Sequence, residues 1–92
     1  MTSFERVDLR IPPDEAVDVV REAVDDLRVV RTDGAVEFRT GTGFVVAAIR
    51  PTPESGTAKA TLRYRVAPRL PVFLHGLSRG AEIRDALDAH RA

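Results

Sequence analysis

From Thr57 onward, apolar and polar positions alternate strictly, with Ala58, Ala60, Leu62, Tyr64 and Val66 set against Lys59, Thr61, Arg63 and Arg65. A period of two marks a half-buried strand, so Thr57 to Val66 is predicted as one long strand. A stiff Pro68-Arg69-Leu70-Pro71 link and an apolar Val72-Phe73-Leu74 entry then lead into a closing helix over about 76 to 90. Its broad inner stripe holds Phe73, Leu77, Gly80, Ile83, Leu87 and His90, with Arg79, Glu82, Arg84, Asp85 and Asp88 on the polar side.

The same periods organise the rest. Ser3 to Ile11 reads as a first strand, with Val7, Leu9 and Ile11 on one face and Arg6, Asp8 and Arg10 on the other. Phe4 is out of phase with the apolar set, which places it before the strand or at a bulge. Pro12-Pro13-Asp14-Glu15 opens a helix over about 13 to 26, because proline fits a first turn and acids suit the positive end of the dipole. Leu27 to Thr32 and Ala35 to Thr40 form a hairpin across Asp33-Gly34, a pair that favours a type I′ turn. Gly41-Thr42-Gly43 makes the next turn, and Phe44 to Arg50 is apolar on both faces, with Val45, Ala47 and Ile49 on one and Phe44, Val46 and Ala48 on the other. A Pro51-to-Gly56 loop follows.

The order is therefore β-α-β-β-β-β-α in a single domain of 92 residues. The connections after Leu27 are too short for parallel crossovers, so the sheet is antiparallel. The first strand pairs with the last, which gives five strands in the order 1-5-4-3-2 with two helices on one face: an α+β fold.

This order resembles the START-like helix-grip superfamily, the polyketide-cyclase/dehydrase-like and lipid-transfer domains. The likeness is carried by Leu9-Arg10-Ile11-Pro12-Pro13-Asp14-Glu15-Ala16-Val17, then Thr61 to Val66, Leu70-Pro71 and Leu87. Such domains are usually longer, with seven strands and two short helices after the first, so this chain would be a shortened member. The resemblance implies a non-enzymatic domain with an apolar small molecule held between sheet and closing helix. Leu62, Tyr64, Phe73, Leu77 and Leu87 would line that cleft. The same order also fits one repeat of the TATA-binding-protein-like fold, which makes contacts through its open sheet face.

Composition narrows the chemistry. There are no cysteines, hence no disulfide and no thiolate or Cys-based zinc chemistry. His75 and His90 are too far apart for a helical ligand pair, and adjacent acids such as Asp14/Glu15 and Asp25/Asp26 point about 100° apart on a helix. Ser3, Ser55 and Ser78 lack a nucleophile elbow, and Gly41-Thr42-Gly43 lacks the rest of a phosphate loop. No catalytic residue, metal or cofactor is expected. No run is apolar enough for a membrane helix, and no signal peptide opens the chain, so a cytoplasmic protein is expected.

Thirteen of the fourteen basic residues are arginine, Lys59 being the exception, while formal net charge is zero. The alternation sends Lys59, Arg63 and Arg65 to the outer sheet face, with Arg39 and Glu37 beside them. Nucleic acid is not the expected partner, because the alternation places no aromatic for base stacking on that face. The alternative to a ligand-binding domain is an interaction module that dimerises or meets a partner through the outer face around Arg39, Val45, Ala47, Arg63 and Arg65.

Overall fold

The computed structural model describes residues 3–55, 58–66 and 79–92. Five antiparallel strands, β1 (Ser3–Asp8), β2 (Arg28–Thr32), β3 (Ala35–Arg39), β4 (Val45–Pro51) and β5 (Ala60–Val66), pair in the order β1-β5-β4-β3-β2. Helix α1 (Pro13–Ala23) follows β1, and helix α2 (Arg79–Leu87) runs into a 3-10 turn over Asp88–His90. The expected class and strand order are those observed.

Register assigns the faces. Val7, Leu62, Ile49 and Val36 lie across one row of strands, and Tyr64, Ala47, Phe38 and Val29 across another. Most of these are buried beneath Ala16, Val17 and Val20 of α1 and Ile83 and Leu87 of α2, so this is the inner face. Each large side chain so buried contributes about 1.5–3 kcal/mol relative to exposure. That gain fixes the phase of the sheet, because a one-residue slip would send every core residue to the other side.

Four details depart from the alternation. Phe38 pairs with Ala47 but Arg39 with Val45, so Val46 is the extra residue of a bulge. Two consecutive residues, Val46 and Ala47, are consequently both fully buried. Strand β1 stops at Asp8 rather than Ile11. Beyond it the chain pairs with its own C-terminal end: Leu9 bridges Arg91, Arg10 N–H donates to His90 O (2.8 Å), and Ala92 N–H donates to Asp8 O (2.9 Å). This covers part of an edge strand with backbone partners. In the β2–β3 turn only Gly34 has a positive φ, at 77°, so the turn is not type I′, which needs positive φ at Asp33 as well. Helix α1 ends at Ala23, short of the expected 26, where Val24 turns extended and buries its side chain.

Helix α2 approaches the sheet closely through Gly80. A Cβ built there would lie 2.5 Å from the Arg65 carbonyl oxygen and 3.2 Å from that of Val46. Replacing Gly80 by Ala would favour the isolated helix by about 1 kcal/mol. Against that, the new methyl meets backbone that cannot rotate away, and overpacking costs about 1–3 kcal/mol or more. Gly80→Ala is therefore expected to lower stability by about 1–2 kcal/mol in urea unfolding; an unchanged or raised midpoint would show that α2 stands further from β5.

Candidate interaction surface

Among the described residues, the helices leave the other side of the sheet uncovered. On β1 and β5, Phe4 stands opposite Arg65, Arg6 opposite Arg63, and Asp8 opposite Thr61. Ala48 of β4 continues the Arg6–Arg63 row to Glu37 of β3 and Val30 of β2. Arg50 faces Thr61, and Arg39 faces both Val45 and Arg28. Among the described strand residues, this face thus holds Arg6, Arg28, Arg39, Arg50, Arg63 and Arg65 against Asp8 and Glu37, a surplus of four positive charges on a chain whose net charge is zero.

Each acid clamps one arginine. Arg6 Nε donates to Asp8 Oδ1 at 3.0 Å, and Thr61 Oγ1 donates to the same oxygen at 3.1 Å. The Arg6 hydrogen bond chiefly holds the Asp8 carboxyl below the usual aspartate range; desolvation opposes it as the next largest effect, and the Thr61 hydrogen bond and the Arg6 charge add to the lowering. Arg39 donates to Glu37 Oε1 through Nε at 3.1 Å and pairs with it through its terminal nitrogen as well. Arg65 donates from Nε to the Val45 carbonyl at 2.9 Å, while its guanidinium carbon sits 4.8 Å from the centre of the Phe4 ring. Arg28, Arg50 and Arg63 are exposed and make no ion pair among the described residues.

Of the residues expected on this face, Arg39, Arg63 and Arg65 are there, and Val45 is half-buried opposite Arg39. Ala47 is not. It is fully buried, paired with Phe38 and Tyr64 on the inner face, because the bulge at Val45–Val46 shifts the phase of β4. The sheet row that needs no helix cover is Ala48 instead. Phe4 corrects the reading in the other direction. It lies in regular register within β1, in phase with Arg6 and Asp8, and it is 39% exposed. The outer face therefore carries an aromatic ring. The signal was present in the sequence as an i, i+2, i+4 series of Phe4, Arg6 and Asp8.

Three of the five cleft residues, Leu62, Tyr64 and Leu87, lie on the covered side of the sheet. Leu62 and Leu87 are fully buried in the core, and Tyr64 is nearly so. Phe73 and Leu77 lie outside the described residues, as do His75 and the Leu70-to-Leu74 segment. Tyr64 directs its hydroxyl to Glu5 Oε2 at 2.8 Å, and the Arg84 guanidinium carbon lies 5.8 Å from its ring centre. A groove of ≈ 410 Å³ opens elsewhere, between the start of α1 and the β2–β3 hairpin, lined by Pro12, Pro13, Arg31, Val36, Ile49 and Pro51 among others. Among the described residues no three His, Cys, Asp or Glu side chains cluster as a metal site, and no helix is long and apolar enough to cross a membrane. No family model, curated protein or solved structure matches this chain.

Tyr64 is the only tyrosine, which makes its titration readable by absorbance. Burial, first, and the hydrogen bond to the Glu5 carboxylate, second, push its pKa above 10.0. A raised folded value means that the associated stability is complete below the unfolded value near 10 and is lost as pH rises through the folded value. The phenolate signal is expected to appear above pH 10, and in Glu5→Gln at lower pH than in the wild type. Equal midpoints for the two proteins would show that Glu5 does not hold the hydroxyl.

Proposed function

We propose that this domain is a non-enzymatic interaction module whose outer sheet face binds an anionic partner. One observation carries the reading: six arginines against two acids on the open face of a chain with no net charge. The balancing acids lie in the other layer, where α1 and the residues after it expose Asp14, Glu15, Asp18, Glu22, Asp25 and Asp26. Among the described residues charge is thus segregated across the molecule, and the cationic side is the one without helices. A symmetric sheet-to-sheet homodimer would set one cationic face against its copy, and like charges brought together in this way repel. The partner must bring negative charge.

A small apolar ligand is the second reading, in line with the helix-grip resemblance. The ≈ 410 Å³ groove at the start of α1 is the observation that favours it, since its volume falls within the range of ligand pockets. The described part of the α2 interface favours it less. Leu62 and Leu87 have no exposed surface there, and Gly80 brings backbone against backbone.

A sulfated polysaccharide column reads the anionic-partner function directly. Wild-type protein is expected to be retained at low salt although its formal net charge is zero. The double variant Arg50→Glu/Arg63→Glu removes the whole surplus of four and should pass through, with stability changed by no more than about 0.5 kcal/mol, as for other exposed substitutions. Retention of the variant at the same salt as wild type would sink this function.

A further inference from the structure

We infer that the anionic partner is a single-stranded nucleic acid lying across β1, β5 and β4, with phosphates on the arginines and a base on Phe4. The inference rests on the cationic-face reading above and adds the chemistry of the partner.

The first support is the arrangement of the arginines. Arg6 stands directly opposite Arg63, and Arg28 directly opposite Arg39. Like charges in such cross-strand positions disfavour the sheet. Asp8 relieves Arg6, and Glu37 relieves Arg39, but each clamp leaves the other arginine of its pair, Arg63 or Arg28, without an ion pair among the described residues. Two unpaired guanidiniums therefore face solvent on the same surface, held apart by the small Ala48 and by Glu37. A chain of phosphates supplies the missing negative charge at repeated intervals, which a single carboxylate does not.

The second support is Phe4. A phenylalanine 39% exposed at the end of the edge strand, beside the arginines, is poor design for a merely solvated face, and its ring is oriented by Arg65, itself anchored on the Val45 carbonyl. Phe44, the next residue back from Val45, is 56% exposed at the same end of the sheet. Aromatic rings beside arginines are what unpaired bases stack upon, each stack being tolerant of sequence. An acidic protein would use the arginines but gains nothing specific from an exposed aromatic ring.

Strandedness follows from shape. Five strands span about 20–25 Å at the ordinary strand spacing. The major groove of duplex DNA is about 12 Å wide and admits a helix or a two-stranded ribbon. A broad sheet cannot enter it, and paired bases offer no free face to Phe4. Among the described residues, the acidic α1 layer on the opposite side leaves the sheet as the favourable approach.

Fluorescence anisotropy with a labelled oligouridylate of about 12 nucleotides tests this, alongside a duplex of equal length and poly-glutamate as probes. The single strand is expected to bind more tightly than the duplex. With about four phosphates neutralised, affinity should fall about 50-fold between 50 and 200 mM salt. Phe4→Leu, which keeps the apolar bulk but loses the ring face, should weaken binding about 10-fold, while Phe4→Trp should retain it. Arg63→Glu should abolish binding, and Asp18→Ala on α1 should leave it no weaker. Equal affinity for duplex, no effect of Phe4→Leu, or no oligonucleotide binding at 50 mM salt would each overturn the inference. If poly-glutamate alone is bound, and Arg63→Glu abolishes that, the cationic-face function stands and the nucleic-acid partner falls. If the protein instead self-associates in native mass spectrometry and ignores every probe, the inference falls as well.

Discussion

A single strand pairing, β1 on β5, builds both the interior and the surface of this domain. It joins residues about sixty positions apart, from Ser3 with Val66 to Asp8 with Thr61. Closing so long a loop has an entropic cost that grows only slowly with length, and the inner members of the pairing, Val7 with Leu62, offset it by entering the core. The outer members have no such return. Arg6 against Arg63 and Phe4 against Arg65 are placed where they are because register couples the two faces rigidly. Whatever fixes the core in phase also fixes the arginine surface, so the surface cannot rearrange to relieve its own repulsion without losing Leu62 and Tyr64 from the interior.

That coupling explains why the fold was legible in the sequence and part of the surface was not. Strict alternation at Ala60, Leu62 and Tyr64, and connections of a few residues after Leu27, leave little choice but an antiparallel sheet with β5 between β1 and β4. The residues projecting from β5, Arg63 and Arg65, were correctly placed for the same reason. Alternation fails at Val45–Val46, because a bulge is an insertion in pairing rather than in sequence: a run apolar on both faces shows no break in period when one residue is added. Ala47 was thereby assigned to the wrong side. Phe4 failed for the opposite reason. Being apolar yet out of phase with Val7 and Leu9, it is expected before the strand or at a bulge, whereas it keeps regular register on the outer face with Arg6 and Asp8, because the core there is set by Val7 and Leu9. The docking of Arg91 and Ala92 onto the end of β1 leaves no local pattern at all, being made by backbone groups that every residue carries.

Formal net charge was similarly uninformative as a single number. Zero is the sum of a cationic sheet and an acidic helical layer. At physiological salt the Debye length is about 8 Å, less than the separation of two layers packed about 10 Å apart. An anionic partner resting on the sheet would therefore be screened from most of the acids on α1, and would respond to the local surplus of four rather than to the total of zero. The screening that hides the acids also limits what the arginines can do at long range. Attraction acts mainly on contact, which makes the fixed positions of the guanidiniums more important than their number. Asp8 and Glu37 are best understood in that light. They remove two charges from the surface, and in return hold Arg6 and Arg39 in fixed geometry, so that Arg63 and Arg28 are left in defined positions beside an ordered neighbour instead of a mobile one.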